Sequence, residues 1–320
     1  MNQHTTQLEG PFDGEMIIIA DREICAGQSP LLTSVITRSG HKSISGSPIL
    51  ELLAIIEETK TLGYKDGLSP AEETLLRQKI LEANNIVETL LESKTINEKL
   101  LETLLTGRMK VGLWIDSIGG EVDQEDTVNW SVDYLDRQKA SVHTYVGTKA
   151  CSAAFDLTFL GNEISALSRS VFMWHLSDSP DFPRTERIKQ LRGKGTPDAA
   201  VSEEINDLLE ILDRTDAVSK EELIAEILRQ INNPRNHDGT VYFEGDYLRD
   251  MGLVDNAFRS ITPLVDKFKS DFPLHAELNV TYFTTAIAEK VYKAISHLPT
   301  WLDRAPMSLT GKFQRQLERP

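Results

Sequence analysis

Three short stretches, far apart in the chain, carry residue types that together could cut an acyl bond. Asp116-Ser-Ile-Gly-Gly120 follows a strand-like run, Ala150-Cys-Ser-Ala-Ala154 stands where a helix should open, and His175 closes a further strand-like run. Hydrolysis of an amide through a serine requires a nucleophile, a base within hydrogen-bond reach, and donors aimed at the oxygen that becomes negative. Ser152 can be the nucleophile. His175 can take its proton and later hand it to the leaving amine, given an acceptor that orients the second ring nitrogen. The N–H groups of Gly120 and Ala153 can be the two donors if a helix starts just after Ser152. Each stretch alone has a plainer use: paired glycines mostly make turns, a serine among alanines mostly caps or packs, and a solitary histidine is most often a satisfied core residue.

Other chemistries find less support. Cys25 and Cys151 are too few for a disulfide framework or a cysteine-based zinc site, which fits a reducing compartment. His4, His41, His143, His237, His275 and His297 show no two-ligand helical spacing, so neither a metal nor another cofactor is expected. Gly119-Gly120 is no phosphate loop, because no Gly-Lys-Ser/Thr follows. Among 49 acidic residues no pair is singled out for glycoside hydrolysis.

The elements that must hold these residues follow from periodicity. Residues 16–20, bounded by Gly14 and Asp21, read as a buried strand, and a polar stretch with Gly27, Ser29, Pro30 and Gly40 follows. Ser47-Pro48 marks a helix start, and Ser69-Pro-Ala-Glu72 is a capping box that opens one long or broken helix ended by Gly107. From Lys110 to about Arg187, apolar runs at 111–116, 142–146 and 171–174 alternate with helical stretches at 128–135 and 150–160. That texture predicts an α/β protein of parallel strands and crossover helices, covered on both faces. Residues 180–197 read as a loop. Residues 202–230 read as two helices, the second opened by a capping box at Ser219-Lys-Glu-Glu222, and Asn232-Asn233-Pro234 ends them.

With 320 residues, 49 acidic against 34 basic and a net charge of −15, the chain repels a phosphate backbone, so nucleic acid is not expected as a partner. No apolar run approaches the roughly 18 residues of a membrane span. The first ten residues lack the basic start and apolar core of a secretion signal, so a cytoplasmic location is expected.

The stretch from Lys110 to His175, echoed by Met251-Gly-Leu-Val-Asp255, resembles the Clp peptidases. In that family a strand ending in Asn-Ser-Pro-Gly-Gly precedes a Gly-x-Ala-x-Ser-Met-Ala turn, then a Gly, then Met-Ile-His. The corresponding text is Asp116-Ser-Ile-Gly-Gly120, Thr148-Lys-Ala-Cys-Ser-Ala-Ala154, Gly161 and Met173-Trp-His175. The resemblance implies a ClpP/crotonase-like superhelix over 16–265 with helical insertions at about 47–108 and 197–232. A disordered 1–15, a helical extension over 266–304 including a helix at 281–296, and a flexible 305–320 would flank it. It implies a serine peptidase with Ser152 as nucleophile, His175 as base, Gly120 and Ala153 as oxyanion donors, and a substrate strand beside Gly119, Glu121, Val122 and Asp123. Thr148 stands where the family has its first glycine, and Ile118 replaces the proline. Counting back from Asp255 puts Thr240 in the place of the family's aspartate, with Asp238 two residues away, so Asp238, Thr240 or another residue completes the triad. A frame anchored on Gly147 would make Cys151 the nucleophile. Peptides or unfolded proteins, further copies of the chain and an ATPase unfoldase are the partners implied. Alternatives are a catalytically impaired relative with an assembly or regulatory role and, behind it, an acyl-CoA enzyme of the crotonase group.

Overall fold

The computed structural model describes residues 12–20, 24, 31–65, 67–120, 122–176, 188–189, 220–233 and 236–276, with backbone alone at 122–124 and 220–224. In chain order the elements are β1 (Gly14–Ala20), β2 (Leu32–Thr37), β3 (Lys42–Ser45), α1 (Pro48–Gly63), α2 (Pro70–Glu92), α3 (Glu98–Thr106), β4 (Met109–Ser117) and α4 (Val122–Arg137). Then follow β5 (Ser141–Cys151), α5 (Ala153–Thr158), β6 (Glu163–Leu167), β7 (Val171–Trp174), α6 (Lys220–Ile231), β8 (Val241–Glu244), α7 (Gly245–Asp250), β9 (Asn256–Phe258), α8 (Ile261–Asp271) and α9 (Pro273–Ala276). The expected tail at 305–320, the extension beyond 276, the first eleven residues, the loop at 180–197 apart from residues 188–189, and the helix before 220 lie outside the described residues, as do Glu121, Cys25 and Ser219.

Among the described residues the strands form one sheet ordered β3-β2-β1-β4-β5-β6-β9, with β7 and β8 branching from β5. Neighbours from β1 through β4, β5 and β6 to β9 run parallel, whereas β2, β3 and β8 pair antiparallel. The fold is therefore α/β with a mixed, mostly parallel sheet and crossover helices. Every residue of β1 and all of β4 but Lys110 are buried, as strands covered on both faces require. On one face Met16, Ile18, Val111 and Leu113 pack with Leu50 and Leu53 of α1, Val128 and Leu135 of α4, and Phe155 of α5. On the other, Ile17, Ile19, Trp114 and Tyr145 lie under Leu264 and Phe268 of α8 and under Phe272. Phe268 meets Trp114 and Tyr145 edge-on at centroid distances of 5.4 and 5.1 Å.

Several expectations shift in register or kind. The capping box forms, with Ser69 N–H donating to Glu72 Oε2 at 2.9 Å and Glu72 N–H donating to Ser69 Oγ at 3.3 Å. At Ser47 the helix starts on Pro48 as expected, but the serine side chain makes no cap hydrogen bond. The long helix breaks between Ser93 and Asn97, where Lys94 takes φ 56° and Asn97 Oδ1 accepts the Leu100 N–H at 2.8 Å, starting α3. The polar stretch after β1 holds an antiparallel hairpin, β2 and β3. The helix expected from Ala150 starts only at Ala153, because Ala150 is laddered between β4 and β7 and Cys151 pairs with β7, and this pairing overrides alanine's helix preference.

β5 forks. His143 to Val146 pair with β6, whereas Lys149 to Cys151 pair with β7. Against β4, Ile115 faces Val146 and Ser117 already faces Ala150, so Gly147, Thr148 and Lys149 together oppose Asp116. Asp116 Oδ1 holds this bulge by accepting the Thr148 N–H at 3.2 Å and the Thr148 hydroxyl, and Ser170 Oγ donates to Gly147 O at 2.6 Å. A bulge of this kind re-aims a strand. Here it points the end of β5 away from β6 and toward β7.

Candidate active site

Ser152 ends the re-aimed strand. Its backbone has φ 54° and ψ −131°, a conformation that favours glycine and costs a side-chain-bearing residue about 1–3 kcal/mol. Its N–H donates to Met173 O at 2.8 Å, and the Phe155 N–H donates to Ser152 O at 2.7 Å, so the serine sits on a sharp turn from strand to helix. Its side chain makes no cap hydrogen bond and is half-buried. Ala153 is the first residue of α5, so its N–H has no acceptor within the helix.

The glycine turn after β4 lies against this serine. Gly119 has φ 92°, and a Cβ there would stand 2.5 Å from Ser152 Cβ and inside 3 Å of the Cys151 carbonyl. The Gly119 N–H donates to Ser117 Oγ at 3.1 Å and Gly119 O accepts the Ile24 N–H at 2.8 Å, while a Cβ on Gly120 would strike the Ile24 main chain. Glycine is thus required twice, once for its dihedral and twice for close approach. Ile118, 51% exposed, is the apolar side chain at this rim.

β7 delivers His175. Since β7 runs parallel to β5 with Met173 beside Cys151, Ser152 and His175 leave neighbouring strands at their carboxyl ends, where ligands of open α/β sheets bind. His175 Nδ1 lies 2.9 Å from Leu176 O. A carbonyl only accepts, so Nδ1 carries the proton of the neutral ring and Nε2 is its basic nitrogen. Asp238 is exposed, and its Oδ1 accepts the Thr240 N–H at 3.1 Å across Gly239. The β7–β8 register ends with Trp174 opposite Val241, so His175 and the buried Thr240 are the residues that adjoin its last pair. Asp238 is close enough for its charge to raise the Tyr242 phenol, after burial, as does Cys151. The structure therefore brings Gly119, Gly120, Ser152 and Ala153 together, sets His175 on the adjoining strand, and turns Asp238 onto Thr240. Val122 and Asp123 contribute the first turn of α4.

Electrostatics separate Cys151 from Ser152. Burial pushes the Cys151 thiol up to about 11, so almost none of it is thiolate at neutral pH. Burial likewise holds the Asp116 carboxyl above its usual range despite the two hydrogen bonds from Thr148.

Two further serine–histidine contacts escaped the sequence reading, because their members are distant in the chain or lack any motif. Ser34 Oγ lies 3.1 Å from His275 Nε2, and His275 Nδ1 lies 3.1 Å from Glu15 Oε2. The same Nε2 also lies 3.2 Å from the Ser34 carbonyl. Ser34, His275 and Glu15 are all buried, and Glu15 also accepts the N–H groups of Leu274 and His275 at 3.3 and 3.2 Å. This arrangement fastens α9 to β1 and β2. Ser141 Oγ lies 3.0 Å from His143 Nε2, with Glu163 at 3.4 Å from Nδ1, but at the amino ends of the strands, within a network of Lys110, Lys267, Asp271 and Tyr145.

No protein-family model matches the chain, and no curated protein matches it. Among the described residues no helix is long and apolar enough to cross a membrane.

Proposed function

We propose that this chain is a ClpP/crotonase-like serine peptidase that cleaves peptides or unfolded protein through an acyl-enzyme on Ser152. The observation that carries the reading is the strained serine turn at the carboxyl end of β5, packed on Gly119, with the neighbouring strand β7 followed directly by His175. In the first half-reaction Ser152 Oγ attacks the substrate carbonyl carbon while its proton passes to His175 Nε2. The Gly120 and Ala153 N–H groups donate to the developing oxyanion, each donor contributing about 3 kcal/mol at such sites. The C–N bond then breaks, the amine leaves with the proton from His175, and an ester remains on Ser152. Water, deprotonated by the same nitrogen, releases the acid and restores the hydroxyl.

A second reading has its own observation. His175 Nδ1 rests on the Leu176 carbonyl, which fixes the tautomer but stabilises an imidazolium less than a carboxylate does. That contact favours an impaired relative whose fold serves assembly or regulation. A fluorophosphonate probe decides between them. The peptidase reading expects labelling of Ser152 that is lost in Ser152→Ala and in His175→Ala, and peptide hydrolysis that is lost with it. A folded wild-type chain that takes no label supports the impaired relative.

A further inference from the structure

The two turns of the candidate site are each followed by a helix, and those helices touch through acids. α4 starts just after Gly120 and carries Glu125, whereas α5 starts just after Ser152 and carries Asp156. The Glu125 and Asp156 side chains are hydrogen-bonded to each other, with Asn129 also bonded to Glu125. Asp156 Oδ1 is sealed from solvent with no hydrogen-bond partner. Two carboxyl groups can hydrogen-bond only while one of them carries a proton, because two carboxylates offer acceptors alone. We propose that Glu125 and Asp156 share one proton and so clamp α4 to α5, fixing the spacing of the glycine turn and the serine turn, and that loss of this proton at alkaline pH releases the clamp and disables the site.

The step is an acid dissociation. The hydrogen-bonded pair gives its proton to solvent base and becomes two carboxylates in contact, and among the described residues no cation acts on either to offset the repulsion. The groups acting on Glu125 are burial, then Asp156 and Asp126, with Asn129 opposing. On Asp156 burial acts first, opposed by the bond from Glu125. Charged groups on the packed elements serve other partners. Glu57 of α1 pairs with Arg137 at the far end of α4, Lys60 lies over the Tyr134 ring, and Lys149 on β5 acts on Asp116 and Cys151.

Burial pushes Asp156 up to about 7 against the bond from Glu125, and burial with the charges of Asp156 and Asp126 pushes Glu125 up to about 8, so the last shared proton leaves in the upper step. A raised native value means that the folded chain holds protons the unfolded chain has lost, so the stability contributed by the pair is full at acid pH and falls as pH rises toward about 8.

The test compares thermal midpoints between about pH 5 and 9 for the wild type, Glu125→Gln and Asp156→Asn, since an amide keeps a hydrogen bond to its partner without a shared proton. The wild-type midpoint is expected to fall by about 5 °C or more over this range, and that of either variant by less than half as much. Variants that keep the full wild-type slope overturn the clamp. Should both variants fail to fold, the wild-type infrared spectrum decides: a protonated-carboxyl band that persists to pH 9, or is missing at pH 6, overturns it equally. The effect on the site rests on the peptidase reading and is read separately, as a fall of about tenfold or more in the rate of Ser152 labelling above pH 8 that Glu125→Gln abolishes. Labelling absent at every pH beside an intact stability difference refutes the peptidase reading and leaves the clamp standing.

Discussion

Replacing Gly119 by alanine separates backbone strain from crowding at the serine, because Gly40 supplies a matched control. Gly119 has φ 92° and Gly40 has φ 83°, so an added methyl group meets a similar dihedral penalty at both. Around Gly40 nothing lies within 4 Å, whereas at Gly119 the new Cβ stands 2.5 Å from Ser152 Cβ and closer still to the Cys151 carbonyl. The dihedral costs about 1–2 kcal/mol at either site. Crowding against main chain and a Cβ that cannot swing aside adds about 1–3 kcal/mol at Gly119 alone. Urea denaturation should therefore show Gly40→Ala losing about 1–2 kcal/mol and Gly119→Ala about 2–5 kcal/mol, with unchanged m-values. The relief available at Gly119 is to push the serine turn outward, and a displacement near 1 Å costs about 100-fold in a positioned reaction. Fluorophosphonate labelling of Ser152 should fall by that factor in Gly119→Ala and stay at the wild-type rate in Gly40→Ala. Equal stability losses and equal labelling rates in the two variants would refute the close packing of the glycine turn on the serine.

Two further outcomes follow from the same contacts. His275→Gln removes the ring beside the buried Glu15 carboxylate and should cost about 3–5 kcal/mol in chemical denaturation while leaving Ser152 labelling unchanged, and the reverse pattern would make Ser34–His275–Glu15 a working site. On a Cys25→Ser background, Cys151 should be alkylated by iodoacetamide at pH 7 at least about 100-fold more slowly than in the unfolded chain, and fast alkylation that blocks labelling would shift the nucleophile to Cys151.

How far the sequence discloses this architecture depends on the range of the forces involved. The capping box at Ser69, the strand runs of β1, β4 and β7, and the end of α6 before Asn232 are decided by neighbours within a few residues, and each is legible. β2 and β3 are not. Only Leu32, Val35 and Ile36 are apolar among the threonines and serines of β2, and its burial is imposed by pairing with β1. Ala150-Cys151 reads as helix locally and becomes strand because β7 pairs with both residues and β4 with Ala150. At the site, the glycines, Ser152 and His175 were legible by type and order. A third partner stays open between Asp238 and Thr240, because counting along the chain cannot tell that the Asp238 side chain folds back to accept the Thr240 N–H. Glu125 with Asp156 and Glu15 with His275 are long-range pairs without any local signature.

The fork in β5 also explains why the serine can stand where it does without breaking the core. Strand side chains alternate between faces, so one extra residue would turn every later side chain to the wrong side of the sheet. Here three residues of β5 oppose one of β4, an excess of two, and Val146 before the bulge and Ala150 after it face the same apolar cluster. The strand thus gains one pleat of length, changes neighbours and keeps its parity. Holding that extra length costs the burial of the Asp116 carboxylate, which Thr148 offsets with two hydrogen bonds. Thr148 occupies the position where the peptidase resemblance expects glycine. A hydroxyl-bearing residue at 148 is what a buried acid at 116 demands, so Asp116 and Thr148 act as one unit in holding the serine turn.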